Sequence, residues 1–187
     1  MDYTLLIVGA GVLGAGFVSM TSYNRLMALD SRCDKANADV DVQLKHRHAL
    51  IPNLVELVKG FMGHEAKTLE MITVARQNAM VALSEDARMQ AETILSRNLN
   101  LIMMNADQNP ALQANEHFGS LRQEIGDAEN KIAAARRFLN LAVNEYNSSI
   151  RQFPNSFFAG LGRLSKRNFY DLGYDRSLVE EAPAVKF

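Results

Sequence analysis

One cysteine, Cys33, is all this chain has, so it closes no internal disulfide and builds no multi-cysteine zinc site. Cys33 falls on a helical apolar stripe and reads as a buried structural thiol. There is no tryptophan, and only four prolines interrupt 187 residues, which suits a helical body. An excess of one charge is lacking too. The 20 basic and 21 acidic residues leave a net charge of -1, with no electrostatic case for nucleic acid. Catalytic motifs are also missing. There is no Gly-x-Ser-x-Gly, no P-loop, and none of the Glu-x-x-His pairs of a di-iron bundle. His64-Glu65-Ala66-Lys67-Thr68 begins like the zinc motif H-E-x-x-H, but Thr68 stands where the second ligand is needed. His46 and His48 point to different sides of a helix, so solvent or a seam is their expected place; Asp39 and Asp41 are also on different faces, and an exposed helix face is their default. These absences predict no enzyme, no metal and no cofactor.

Charge is also absent from one long stretch. Asp2 is followed by no charged residue until Arg25. The run from Tyr3 to Asn24 is mostly apolar and close to the roughly 20 residues that cross a bilayer as a helix. It is expected to be a single transmembrane anchor over residues 1–24. A cleaved signal fits less well, because the start has no positive charge and Val18-Ser19-Met20-Thr21-Ser22 is a poor cleavage site. Arg25, Arg32 and Lys35 follow the run and no basic residue precedes it, which predicts a cytoplasmic body and an outside N-terminus. Gly9-Ala10-Gly11-Val12-Leu13-Gly14 also fits a dinucleotide fingerprint, with Asp30 as the distant acid. Nothing after Arg25 reads as a strand, so a membrane helix explains the glycines better. Ala10 with Gly14, and Gly11 with Ala15, are small pairs at i, i+4 that permit close helix association. A plain anchor whose glycines pack on nothing is the simpler alternative.

The remaining roughly 160 residues are enough for one domain with a real core. Leu26, Leu29, Cys33, Ala36, Val40 and Leu44 recur at helical spacing. Tyr23 to Ala49 contains no Gly or Pro, so the anchor is free to continue into this helix. Pro52 predicts a kink or restart, with a second helix to Leu83 weakened at Gly60 and Gly63. Ser84-Glu85-Asp86 predicts a capped start for a third helix. Asp107-Gln108-Asn109-Pro110 ends it. Leu121, Ile125, Ala128, Ile132, Ala135, Leu139, Ala142 and Tyr146 form a fourth, coiled-coil-like seam. Short turns then predict an all-α fold: an antiparallel bundle of four long helices over 25–152 behind the transmembrane helix.

Residues 153–187 change character. They hold half of the aromatic residues, among them Phe153, Phe157, Phe158, Phe169 and Tyr170, with Arg163, Lys166 and Arg167 as a small basic cluster. Either the rings dock this tail on the bundle, or rings and cations meet a membrane surface or a partner. Asparagines are frequent on the helices: Asn98, Asn105, Asn130, Asn140, Asn144 and Asn147. Buried amides need partners, so they predict interhelical networks or a lined groove.

The segment from Asp39 to Glu56, DVDVQLKHRHALIPNLVE, resembles the D-I-D-V-Q-L-K-R-R-x-D-L-I-P-N-L-V-E block of the LemA family. Asn109 to Phe118, and Glu129 to Phe138 with Asn140, Tyr146-Asn147 and Phe153-Pro154, are similar to two further blocks of that family. Gly60, His64-Glu65, Ala75-Arg76 and the terminal Val185-Lys186-Phe187 fit as well. His46, Ala49, Asn109 and Leu139 depart from the pattern. The resemblance implies a bacterial inner-membrane protein with one N-terminal span and a helical domain, without established enzymatic activity. Some members of the family are linked to building magnetosome membranes, which points to membrane organisation. It marks Asp41, Gln43, Leu44, Pro52, Asn53, Asn115, Arg136, Arg137, Asn140, Tyr146 and Asn147 as structural. Asn53 is expected to cap the restart at Pro52, and Arg136 or Arg137 to pair with an acid of a neighbouring helix.

The expected function is a membrane-anchored scaffold or adaptor, with the lipid bilayer, a second copy of the chain or another protein as its partners. A small-ligand or signal-sensing bundle is the alternative.

Overall fold

The computed structural model describes residues 2–61 and 66–170, apart from the side chains at 2, 4–6 and 66. The described residues are all-α. The helices are α1 (Asp2–Lys59), α2 (Ala66–Val81), α3 (Glu85–Ala106), α4 (Pro110–Gln113), α5 (Glu116–Ser149) and α6 (Asn155–Leu161). Expected punctuation recurs at several ends. Ser84 caps α3, its Oγ accepting from Ala87 N at 3.2 Å, with Glu85 and Asp86 in the first turn. Asn109 caps α4 ahead of Pro110, and Asn115 Oδ1 accepts from Phe118 N to start α5. The His64-Glu65 pair and the terminal Val185-Lys186-Phe187 lie outside the described residues.

One expectation needs correction. The helix does not restart at Pro52. It runs on to Lys59 and ends at Gly60, so Asn53 is an exposed mid-helix residue and not a cap. The pull is hydrophobic, because Ile51, Leu54, Val55 and Val58 continue the buried stripe past the proline. The span expected over 1–24 finds no direct support. Among the described residues no helix is long and apolar enough to cross a membrane. Gly9, Gly11, Gly14 and Gly16 and the polar residues after Val18 dilute the run, and Thr4, Leu5 and Leu6 fall among the undescribed side chains.

The chain forms two compact units. One contains residues up to Val40 and Ala134–Tyr170. Its interior is Leu26, Leu29, Cys33, Ala36 and Val40 of α1 with Leu139, Ala142, Val143, Tyr146 and Ile150. Burial pushes the Cys33 thiol up, as a structural cysteine requires. Residues 164–170 form an extended strap along α5. Asn147 Nδ2 donates to Arg167 O and its Oδ1 accepts from Arg167 N, both at 2.9 Å. Asn140 does the same to Tyr170, at 2.9 and 2.7 Å. The spacing is geometric. Two helical turns advance roughly 10 Å, the length of three extended residues. Each asparagine thus mimics one step of a β-ladder, with the strap antiparallel to α5.

The other unit contains Asp41–Ala133 among the described residues. Its core joins Leu50 to Val58 of α1, Leu69 to Ala79 of α2, Ala91 to Ala106 of α3, Leu112 of α4, and Phe118 to Ala128 of α5. The Leu121–Ile125–Ala128 seam is buried as its spacing predicts. Asn109 Nδ2 reaches Phe61 O, just past the end of α1, while Arg47 meets Glu129, so α1 and α5 run antiparallel.

Candidate functional site

Pro52 is the local origin of the site. In a regular helix the N–H of residue 52 bonds the carbonyl of residue 48. Proline has no N–H, so the His48 carbonyl loses its helical partner. Arg76 of α2 supplies a substitute, its Nε donating to His48 O at 2.8 Å. A guanidinium thereby crosses from α2 to the middle of α1.

The His48 side chain turns inward and is buried. Its Nε2 approaches Glu92 Oε1 of α3 to 2.9 Å. Glu92 is 1% exposed, and its Oε2 accepts from Arg47 Nη2. Arg47 is fully buried, and its Nη1 also donates to Ser96 of α3 and Glu129 of α5. Three helices therefore meet on one buried cation. Burial opposes the charged form of Glu92, but His48 and Arg47 outweigh it and hold the carboxyl below its ordinary range.

A pocket of about 460 Å³ opens beside this network. Lys45, His48, Arg76, Arg88 and Glu92 line its polar side, and Leu44 and Met80 are on its apolar side. Asp41 also lines it, but its carboxylate accepts from Arg88 at 2.8 Å. Glu92 is committed to Arg47. Lys45 and Arg76 have no carboxylate partner among the described residues, so the pocket carries surplus positive charge. Among the described residues no group of three or more His, Cys, Asp or Glu is placed to hold a metal ion. The arrangement offers charge and hydrogen-bond donors to an anion and presents no nucleophile beside a base.

The residues expected to matter divide between the units. Asp41 and Leu44 line the pocket, and Gln43 is half-buried on the same stretch of α1. Arg136, Asn140, Tyr146 and Asn147 gather around the strap. Among the described residues Arg136 meets no acid and stacks instead over the Tyr170 ring at 4.8 Å, while Arg137 is exposed. Arg167 bridges Asp30 and Asp34 at 2.8 and 2.7 Å and lies over Tyr146. Asn98 bonds Met71 O on α2 at 3.3 Å, so that asparagine does tie two helices. Ala10, Gly11, Gly14 and Ala15 are exposed, and a Cβ added at Gly11 or Gly14 would meet nothing. Sequence reasoning missed Arg47 and Glu92 and placed His48 in solvent or a seam. The signal was present, since Arg47 continues the stripe Val40, Leu44, Ile51 and Glu92 continues Leu95, Leu99, Ile102, each as a charge at a core position.

The sequence model of the LemA family matches residues 36–187. The chain belongs to the LemA family. The match takes in the pocket, Pro52 and the asparagine strap. Protein LemA of Metamycoplasma hominis is 22% identical over 138 residues, 73% of this chain. The LemA-family chain spans 63% of the length of that relative.

Proposed function

We propose that this LemA-family protein is a membrane-anchored scaffold or adaptor that organises membrane or envelope complexes without catalysing a reaction. The start of α1 inserts in the bacterial inner membrane with the N-terminus outside, and the rest forms an antiparallel four-helix body in the cytoplasm. One observation carries the reading. From Ile7 to Met20 nearly every side chain of α1 is exposed, Leu13 at 75% and Phe17 at 70%. Contiguous apolar surface of this kind marks a membrane or partner contact. Ser19 Oγ donates to Ala15 O at 2.7 Å and Thr21 Oγ1 to Val18 O at 3.0 Å, so these hydroxyls are satisfied inside the helix as a lipid-facing segment requires. Thr4, Leu5 and Leu6 extend the uncharged run.

The full chain is expected to stay in bacterial membranes through alkaline carbonate extraction, and a chain starting at Ser22 to be released. Equal release of both would reject the anchor. Gly11→Leu with Gly14→Leu should retain insertion and sharply reduce dimer crosslinking; unchanged crosslinking rejects self-association through that face.

The pocket favours a second reading, a tethered sensor of small organic anions held by Lys45 and Arg76. Inorganic phosphate or hexanoate should then stabilise the full chain by ~2.7 kcal/mol at 100 times Kd, read as a melting temperature that climbs with the logarithm of concentration above Kd. A shift that survives Lys45→Met with Arg76→Gln would place the anion elsewhere.

A further inference from the structure

The corner between α5 and α6 carries large apolar side chains that no described residue covers. Phe153 is 89% exposed, Phe157 66% and Leu161 79%, whereas Ala159 is buried and Phe158 half-buried. The corner therefore packs inward through one side and presents rings on the other. It is also one-signed. From Tyr146 to Tyr170 there is no acidic residue, while Arg151, Arg163, Lys166 and Arg167 are present. Arg167 is spent on Asp30 and Asp34; the other three are exposed.

The register within this unit fixes where the corner lies along α1. Arg32 pairs with Glu145 at 2.6 Å, and α5 runs antiparallel to α1. Continuing from Glu145 to the end of α5 at Ser149 moves ~6 Å, which returns along α1 from Arg32 to about Ala28, and the turn at 150–154 leads on from there. The strap leads in the same direction independently. Arg167 sits beside Asp30, and the extended residues back to Arg163 retrace ~13 Å. The corner thus lies beyond Ala28 toward Tyr23 and Asn24, where the bare apolar stretch of α1 ends. Ser19 and Ser22 are half-buried while their neighbours are exposed, as a partly covered face requires.

We infer that the α5–α6 corner is a second membrane contact, with Phe153, Phe157 and Leu161 in the interfacial layer and Arg151 and Arg163 on the phosphates of anionic lipids. Aromatic rings beside cations are suited to that layer. The inference rests on α1 being the anchor. It gives the domain a fixed stance on the bilayer, because a single helix alone leaves rotation and tilt free.

The lack of tryptophan makes the test clean, since each introduced indole is the sole one. Phe17→Trp, Phe157→Trp and Phe138→Trp are made separately in the full chain. Each is reconstituted in phosphatidylglycerol–phosphatidylcholine vesicles with bromines at shallow or deep acyl positions. Phe17→Trp reads the anchor and should be quenched by deep bromines. Phe157→Trp should emit to the blue and be quenched several-fold more by shallow bromines than Phe138→Trp, which lies ~16 Å back along α5 from its end at Ser149. Leu161→Trp serves as a second reporter should Phe157→Trp disturb the edge contact between Phe157 and Phe158. Quenching of Phe17→Trp with both corner reporters as unquenched as Phe138→Trp overturns this inference and leaves the anchor standing. An unquenched Phe17→Trp overturns the anchor itself.

Discussion

Arg47→Met should lower the stability of the domain by about 3–5 kcal/mol, the usual cost of breaking a buried pair by removing one partner. The side chain it removes is fully buried between Glu92, Ser96 and Glu129. Methionine fills much of the same volume, so the loss is electrostatic: Glu92 would remain buried with only His48 beside it. For a domain of this size the melting temperature should fall by roughly 10 °C. The double variant Arg47→Met, Glu92→Met should recover most of that loss, because an apolar pair of similar volume replaces an ion pair at little cost. Urea denaturation of the full chain in detergent measures all of these variants. A double variant as unstable as the single one would show that Arg47 acts through Glu129 and Ser96 instead.

The same network sets a pH dependence with a definite sign. The Glu92 carboxyl titrates below its ordinary value in the folded protein. Its contribution is therefore complete above the unfolded carboxylate range and is lost as pH falls through the depressed folded value. Glu92→Gln should flatten this acid limb of the stability profile. An unchanged acid limb in Glu92→Gln would assign it to other carboxylates.

What was legible in the sequence was what depends on neighbours a few residues away. The α5 seam, the Ser84 cap and the turn at Asn109-Pro110 all follow from local spacing and local hydrogen bonding. The continuity of α1 was not legible, because the group that rescues Pro52 comes from residue 76. The charges at core positions were visible as exceptions, but two separate helices had to be placed before Arg47 and Glu92 became partners. The tail was half legible. Tyr170 docks and Phe153, Phe157 and Phe169 do not, and what holds the strap is the pair of asparagines on one face of α5. Amides seven residues apart have no distinctive pattern until an extended partner lies beside them.

Pro52 and Arg76 should behave as one unit. Arg76→Gln removes the donor to His48 O and leaves a part-buried carbonyl without a partner, at a cost of about 1–3 kcal/mol. Pro52→Ala restores an N–H at the position where the helix itself would serve that carbonyl, and it relieves a proline that costs ~3 kcal/mol in a helix interior. The two effects cannot add, because one acceptor stands behind both. In the Pro52→Ala background, Arg76→Gln should cost clearly less, with a coupling energy of about 1 kcal/mol or more in a double-mutant cycle. Additive costs would mean that Arg76 is held by the pocket and not by the proline. The outcome bears on function as well as on folding. A proline that frees a carbonyl and an arginine that answers it together bring a guanidinium to the wall of the pocket, where Lys45 and Arg88 already stand. If Pro52→Ala stabilises the fold but releases Arg76, the proline serves the pocket at the expense of the helix.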